Sequence, residues 1–417
     1  MPNLVEPAYY ALLEVFIFLA VAELLHSFAE KVGLPNLVSD LLLGIILSSF
    51  AVGGVLNGLF GVSIFTINSY VLIFADFSVV LLLFAAGLES GFGGLRRAGR
   101  NAVFAAVAGD LVPFVIAFEV FQRFYATNVA LLMGVAAAAT SSAVVASLVQ
   151  SERVSGTEVG SFHINVAALD DVVALILLSV VLTIVGGQFD ILAATGSIVG
   201  LVIAWIILLL ASVVIVPRLL HRPTLREVRG MPFLFLFVLV VIVIALGFSA
   251  VIGAFIAGLA VAESLVASRT REITDLLLLL FGALFFVVTG AEFDFHALLD
   301  PRLLVLALVL TAVATAGKVA AVYPFARHRL GDDGGWAVSV GMIPRGEIGL
   351  IVGAIGFSNG TLDQTMLGEI LLMSILTTLI GAILYRRAVP SFRTNGPAAP
   401  APRAASDNSR SNGRIGP

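Results

Sequence analysis

The chain has 417 residues, of which 59% are hydrophobic and 12% charged, and its mean hydropathy is +1.08. Soluble domains carry about 25% charged and roughly 45–50% apolar residues, so a soluble enzyme, a nucleic-acid binder and a disordered hub are excluded. No cysteine is present, which rules out disulfides, thiolate metal sites and a Cys nucleophile; the net charge of −4 matters less than where the charges lie.

A bilayer-spanning helix needs about 20 mostly apolar residues. Cutting the chain at its polar and Gly/Pro punctuation gives thirteen candidate spans, near 8–29, 34–52, 69–88, 102–122, 128–149, 160–185, 192–217, 231–247, 249–266, 273–291, 303–325, 335–357 and 364–385. These runs do not alternate in polarity, which excludes a transmembrane barrel. The first run lacks a basic flank and carries Glu6, Glu14 and Glu23, so it reads as a retained helix rather than a cleaved signal. The expected class is therefore an all-α polytopic membrane protein.

Basic residues orient the spans. With thirteen spans and the N-terminus outside, one set of loops holds fifteen Lys and Arg, from Lys31 to Arg387, and the other only Arg123 and Arg302. The positive-inside rule then puts the C-terminus in the cytoplasm. Residues 393–417, rich in Pro, Ala, Ser, Asn and Arg, read as a disordered cytoplasmic tail. No soluble domain follows in this sequence, so gating by an attached nucleotide-binding domain is not expected.

A weak internal repeat runs through the chain. The third span ends in FAAGLESGF and the tenth in VVTGAEFDF, which matches Gly87 and Glu89 to Gly290 and Glu292. Some 53–54 residues further on come Thr140 of TSSAVV and Pro344 of IPRGE. Each interrupts the fourth helix of a five-helix unit, spans 2–6 and 9–13. The first unit starts inside and the second outside, so the units are inverted copies. Inverted repeats with interrupted helices mark secondary transporters, with the site between them at mid-membrane.

Charges inside a membrane are costly and point to function. Asp170 and Asp171 lie mid-span in INVAALDDVVALILL, and two adjacent buried carboxylates cannot both stay ionised without a cation. Lys318, in TAVATAGKVAAVY, is one of two lysines among 23 basic residues. Arginine cannot give up its proton and lysine can, which suits Lys318 to proton coupling; the alternative is a lysine snorkelling to an interface. Pro344 breaks the twelfth span, and Arg345 and Glu347 follow it as a gate or a structural cluster. Thr140, Ser141 and Ser142 offer hydroxyls that either ligate a cation or back-bond to their helix. Glu14, Glu23, Asp40, Asp76, Asp110, Glu119 and Glu369 lie within or near spans, some of them as funnel residues; His163 and Asn165 precede the aspartates as polar neighbours or a pH sensor.

These groups couple ions without further machinery. With both aspartates ionised and Lys318 protonated the group carries one negative charge, for which a monovalent cation and a proton compete. If Lys318 also loses its proton, more than one H+ moves per cation and exchange becomes electrogenic. No hydrolytic triad, Walker loop or metalloenzyme cluster is present in the sequence, so neither an enzyme, a resident cofactor, nor a nucleotide or nucleic-acid partner is expected.

GLPNLVSDLLLGIIL, LLLFAAGLE, TSSAVV, ALDDV, GAFIAGLAVAES, LFFVVTGAEFD and GMIPRGEIGLIV, in this order over about residues 30–385, resemble the monovalent cation:proton antiporter-2 family. Asp40 stands where that family usually has Glu. The resemblance implies a homodimer with a scaffold of about 8–88 and 231–291, a linker helix of about 192–217, and a mobile core of about 102–185 and 303–385. The core moves like an elevator and carries two crossed interrupted helices. The resemblance also makes Asp171 the Na+ and H+ carrier, Asp170 its partner, and Lys318 the salt-bridge lysine of Asp170. The expectation is a Na+/H+ antiporter, with Li+ as a second cation, in the inner or plasma membrane. A K+/H+ exchanger, a sodium-coupled organic-anion symporter and a channel or receptor are the rival readings.

Overall fold

The computed structural model describes residues 6–32, 34–61, 64–91, 99–186, 194–246 and 249–392. The tail 393–417, Arg96, Arg97 and the start of the linker segment at 192–193 lie outside the described residues. The described chain folds as helices: α1 (Glu6–Val32), α2 (Asn36–Leu47), α3 (Val52–Phe60), α4 (Ser69–Ser90), α5 (Gly99–Phe121), α6 (Thr127–Ala138), α7 (Ser142–Ser151) and α8 (Glu158–Val185). There follow α9 (Ala194–Leu220), the short α10 (Pro223–Arg226), α11 (Met231–Ala245), α12 (Ala250–Ala262), α13 (Ala267–Glu292), α14 (Pro301–Gly341), α15 (Glu347–Ser358) and α16 (Gln364–Ala388).

Among the described residues ten helical segments are long and apolar enough to cross a membrane, and α11, α12 and α15 are shorter apolar helices. The 41 residues of α14 are two limbs, because the backbone leaves helical geometry at Gly331 (φ 75°, ψ −178°). Only glycine adopts that conformation without strain. The second limb continues through a break into α15, and each of the thirteen apolar runs read from the sequence carries helix. Run 34–52 is the least regular. It stops at Ser48, whose hydroxyl bonds back to the Ile45 carbonyl, and α3 then adds two further turns.

Both interruptions are present. Helix α6 ends at Ala138 and α7 starts at Ser142; α14 ends at Gly341 and α15 starts at Glu347. Around them α5, α6, α8, α14, α15 and α16 pack on one another, while α2 packs on α13 and α4 on α12. Small residues allow the latter two approaches. A Cβ at Gly87 of α4 would strike the backbone at Phe255 and Gly258 of α12, and one at Gly290 of α13 would strike Leu41 and Gly44 of α2. The two glycines matched in the sequence repeat thus make matching contacts, each with the first helix of the other five-helix unit.

Candidate functional site

A broken helix leaves backbone groups without partners at each half-helix end, and those ends carry partial charge of opposite sign. At both breaks, buried side chains satisfy them. The last two carbonyls of α6 each meet a cation: Ala138 O accepts from Lys318 Nζ at 2.9 Å, and Ala137 O from Arg345 Nε at 2.9 Å. Arg345 also donates to Met342 O at 3.0 Å, to Ala314 O at 2.9 Å and to Thr140 Oγ1 at 3.2 Å. Its own carbonyl accepts the hydroxyls of Ser374 and Thr378. The guanidinium is fully buried and serves the negative ends of two half-helices.

Glu347 serves the positive ends. It opens α15, accepts the Ser141 hydroxyl at 2.5 Å and faces the Ala143 N–H at 3.3 Å, in the first turn of α7. Thr140 Oγ1 donates to Met342 O at 3.3 Å. Thr140, Ser141, Pro344, Arg345 and Glu347 are therefore brought into one crossing point.

Against this crossing lie the aspartates of α8. Asp170 is fully buried and both its oxygens are engaged: Lys318 Nζ donates to Oδ1 at 2.5 Å and the Thr140 N–H to Oδ2 at 2.9 Å. Asp171 is 4% exposed, and its Oδ2 has no hydrogen-bond partner. It faces a small cavity shared with Ser142, Glu347, Leu83, Leu175 and Phe255. Glu347 also borders a larger cavity of about 670 Å³ that is lined by Glu23, His26, Asp40 and Asp275 and reaches Arg386. Glu347 thus stands in the walls of both cavities, between the larger one and Asp171. Carboxylate oxygens such as these suit a hard cation.

One acid important to this geometry was not singled out from its neighbours in the sequence. Asp110, grouped there with interfacial acids, is fully buried on α5 and accepts from Lys318 Nζ at 2.8 Å. Its position three residues before Pro113 inside an apolar run was the available signal. Ser142, third of the TSS triplet, shares the cavity of Asp171. His163 packs instead against Tyr385, 3.3 Å from its hydroxyl, and Asp40 pairs with His26 at 2.6 Å on the wall of the larger cavity.

The sodium/hydrogen exchanger transmembrane family model matches residues 15–387. The chain belongs to that family. This exchanger is 32% identical over 340 residues to the high-affinity Na(+)/H(+) antiporter NhaS3 of Synechocystis, covering 76% of this chain and 71% of that one. It is 26% identical over 379 residues to the Na(+)/H(+) antiporter of Enterococcus hirae, covering 86% and 92%. Among solved structures, the sodium proton antiporter MjNhaP1 from Methanocaldococcus jannaschii superposes on the exchanger with a TM-score of 0.70 at 18% identity, covering 92% of this chain and 97% of that one. That likeness concerns the fold.

Proposed function

We propose that this exchanger is a secondary active antiporter that moves Na+, with Li+ as a second cation, against H+ across the inner or plasma membrane. The observation that carries the reading is the inequality of the two aspartates: Asp170 is held on both oxygens, whereas Asp171 Oδ2 is unpartnered beside a cavity. Asp171 therefore takes Na+ or H+ but not both. That exclusion couples the two flows, with Asp170, Thr140, Ser141 and Ser142 supplying further oxygens around the ion.

In this reading the broken helices and the aspartates travel as a core of about 102–185 and 303–385. The core slides against a scaffold of about 8–88 and 231–291, joined by the linker 192–217, in a homodimer with its N-terminus outside. The acid-lined cavity beside Arg386 is the cytoplasmic entrance, Glu347 is its inner gate, and Arg345 and Pro344 hold the break open. The matching contacts of Gly87 and Gly290 support an inverted repeat beneath this architecture. If the Asp110–Lys318–Asp170 cluster releases a second proton when Na+ binds, exchange carries charge and responds to voltage at about 2.3 kcal/mol per charge per 100 mV.

The test is cation-driven proton movement in proteoliposomes at clamped voltage, with Na+, Li+ and K+ in turn, for wild type and Asp171→Asn. Na+-driven movement that is lost in the variant supports the reading. Movement driven best by K+, or retained in Asp171→Asn, overturns the ion or the site.

A further inference from the structure

Lysine has three N–H donors, and Lys318 uses all of them: on Asp170 Oδ1 at 2.5 Å, Asp110 Oδ1 at 2.8 Å and Ala138 O at 2.9 Å. Competition between Na+ and H+ at Asp171 needs only one of the lysine's two carboxylates, Asp170. Asp110 is fully buried, and its second oxygen has no partner, so stability alone gives little reason to keep it. A buried carboxylate with a bare oxygen is costly. The helices that carry this pair are fixed against each other. Gly109 lies under the Lys318 side chain, where a Cβ would sit 3.5 Å from both Cδ and Nζ, and a Cβ on Gly317 would come within 3.1 Å of Pro113 Cα. Asp110 and Lys318 stand on the third helix of each five-helix unit, facing one another.

Sharing has a consequence for the ion. An ammonium held by one carboxylate binds it more tightly than an ammonium divided between two. For Asp170 to turn an oxygen toward a cation at Asp171, its bond to Lys318 must loosen. With Asp110 present, Lys318 keeps a carboxylate partner throughout; without it, the ammonium is left with one carbonyl in a buried site. We propose that Asp110 is a positioning residue for cation binding, which retains Lys318 while Asp170 turns to the ion and so sets the affinity for Na+. The proposal rests on the antiport reading.

The experiment measures apparent KM and maximal rate for Na+ in proteoliposomes, together with Na+-dependent thermal stabilisation of the purified protein, for wild type, Asp110→Asn and Lys318→Gln with and without Asp110→Asn. Asp110→Asn should raise the Na+ KM about tenfold or more and move the stabilisation curve by the same factor, as expected for loss of one partner of a buried ion pair. In the Lys318→Gln background the same substitution should shift the stabilisation curve little, because Asp110 acts through the lysine. Asp110→Ser gives the same reading if the Asn variant fails to fold. An unchanged KM with only a lower rate or melting temperature overturns the proposal, as does an equal shift in the Lys318→Gln background. If wild type itself shows no Na+-driven proton movement, the antiport reading fails instead.

Discussion

The Ser141 N–H donates to the Pro344 carbonyl at 2.9 Å, so one helix break is hydrogen-bonded directly to the other. Irregular backbone at membrane depth survives only where it is satisfied by protein or lines a cavity, and here each break supplies part of the other's need. The remaining groups are divided by sign. Arg345 and Lys318 take carbonyls at half-helix C-termini, and Glu347 takes a hydroxyl and an N–H at an N-terminus. The charged side chains of the crossing therefore hold together the frame that presents Asp171.

Arg345→Lys tests that arrangement. One ammonium cannot span Ala137 O, Ala314 O, Met342 O and Thr140 Oγ1, which the planar guanidinium reaches together. Leaving buried acceptors unpaired should destabilise the protein on the order of 3 kcal/mol, with transport lost in parallel. A thermal denaturation curve in detergent beside the proteoliposome assay reads both. A variant of wild-type stability would show that the carbonyls find other donors.

Much of this was legible in the sequence. The apolar runs, the two breaks, the DD pair and the isolated lysine are local features, each visible within a single span of about 20 residues. Pairings between distant helices were not. Lipid tails and protein interior are equally apolar, so a membrane helix does not advertise which face packs inward, and nothing near Asp110 indicates that it meets Lys318. Lys318 was read as the partner of Asp170, which describes one of its three bonds. The turn at RLGDDGG, by contrast, was legible: it reads as the loop between the eleventh and twelfth runs, and the backbone leaves helical geometry there at Gly331.

Competition at one carboxylate fixes a pH dependence. While Asp171 is mostly protonated, each unit rise in pH strips protons from it, and the apparent KM for Na+ should fall about tenfold. Once it is bare, the KM should become flat with pH. Initial rates at varied Na+ across the pH range give the profile. A KM indifferent to pH, with only the maximal rate changing, would mean that Na+ and H+ do not share this group.

The glycine contacts give a contrast between two positions. Gly290→Val would drive a side chain into the α2 backbone at Leu41 and Gly44, and should cost about 1–3 kcal/mol from overpacking. Gly58, in α3, has nothing within 4 Å of its would-be Cβ. Gly58→Ala should therefore stabilise by about 0.5–1 kcal/mol through helix propensity alone. Melting temperatures of the two variants decide it, and equal effects would deny the close approach of α13 to α2.

In the proposed scheme, sliding of the core requires a pivot where the chain leaves α13 for α14. Gly290 is pinned on α2. The following residues are bound to α16 instead: Gln364 accepts the Asp294 N–H at 3.0 Å and donates to Glu292 O at 2.9 Å, and Phe293 lies against Gly368. In that scheme the bending would fall near Ala291, between the contact of Gly290 with α2 and that of Glu292 with α16. Because the chain lacks cysteine, introduced pairs can be bridged with a short bifunctional thiol reagent without background. Bridging Asp294→Cys to Gln364→Cys should leave exchange intact, since the two residues are already hydrogen-bonded and would move together in that scheme. Bridging Phe255→Cys to Ile348→Cys, across the small cavity between α12 and α15, should stop it. Transport blocked by the first bridge would place the moving boundary between α16 and the Glu292–Asp294 segment, and transport surviving the second would argue against a sliding core.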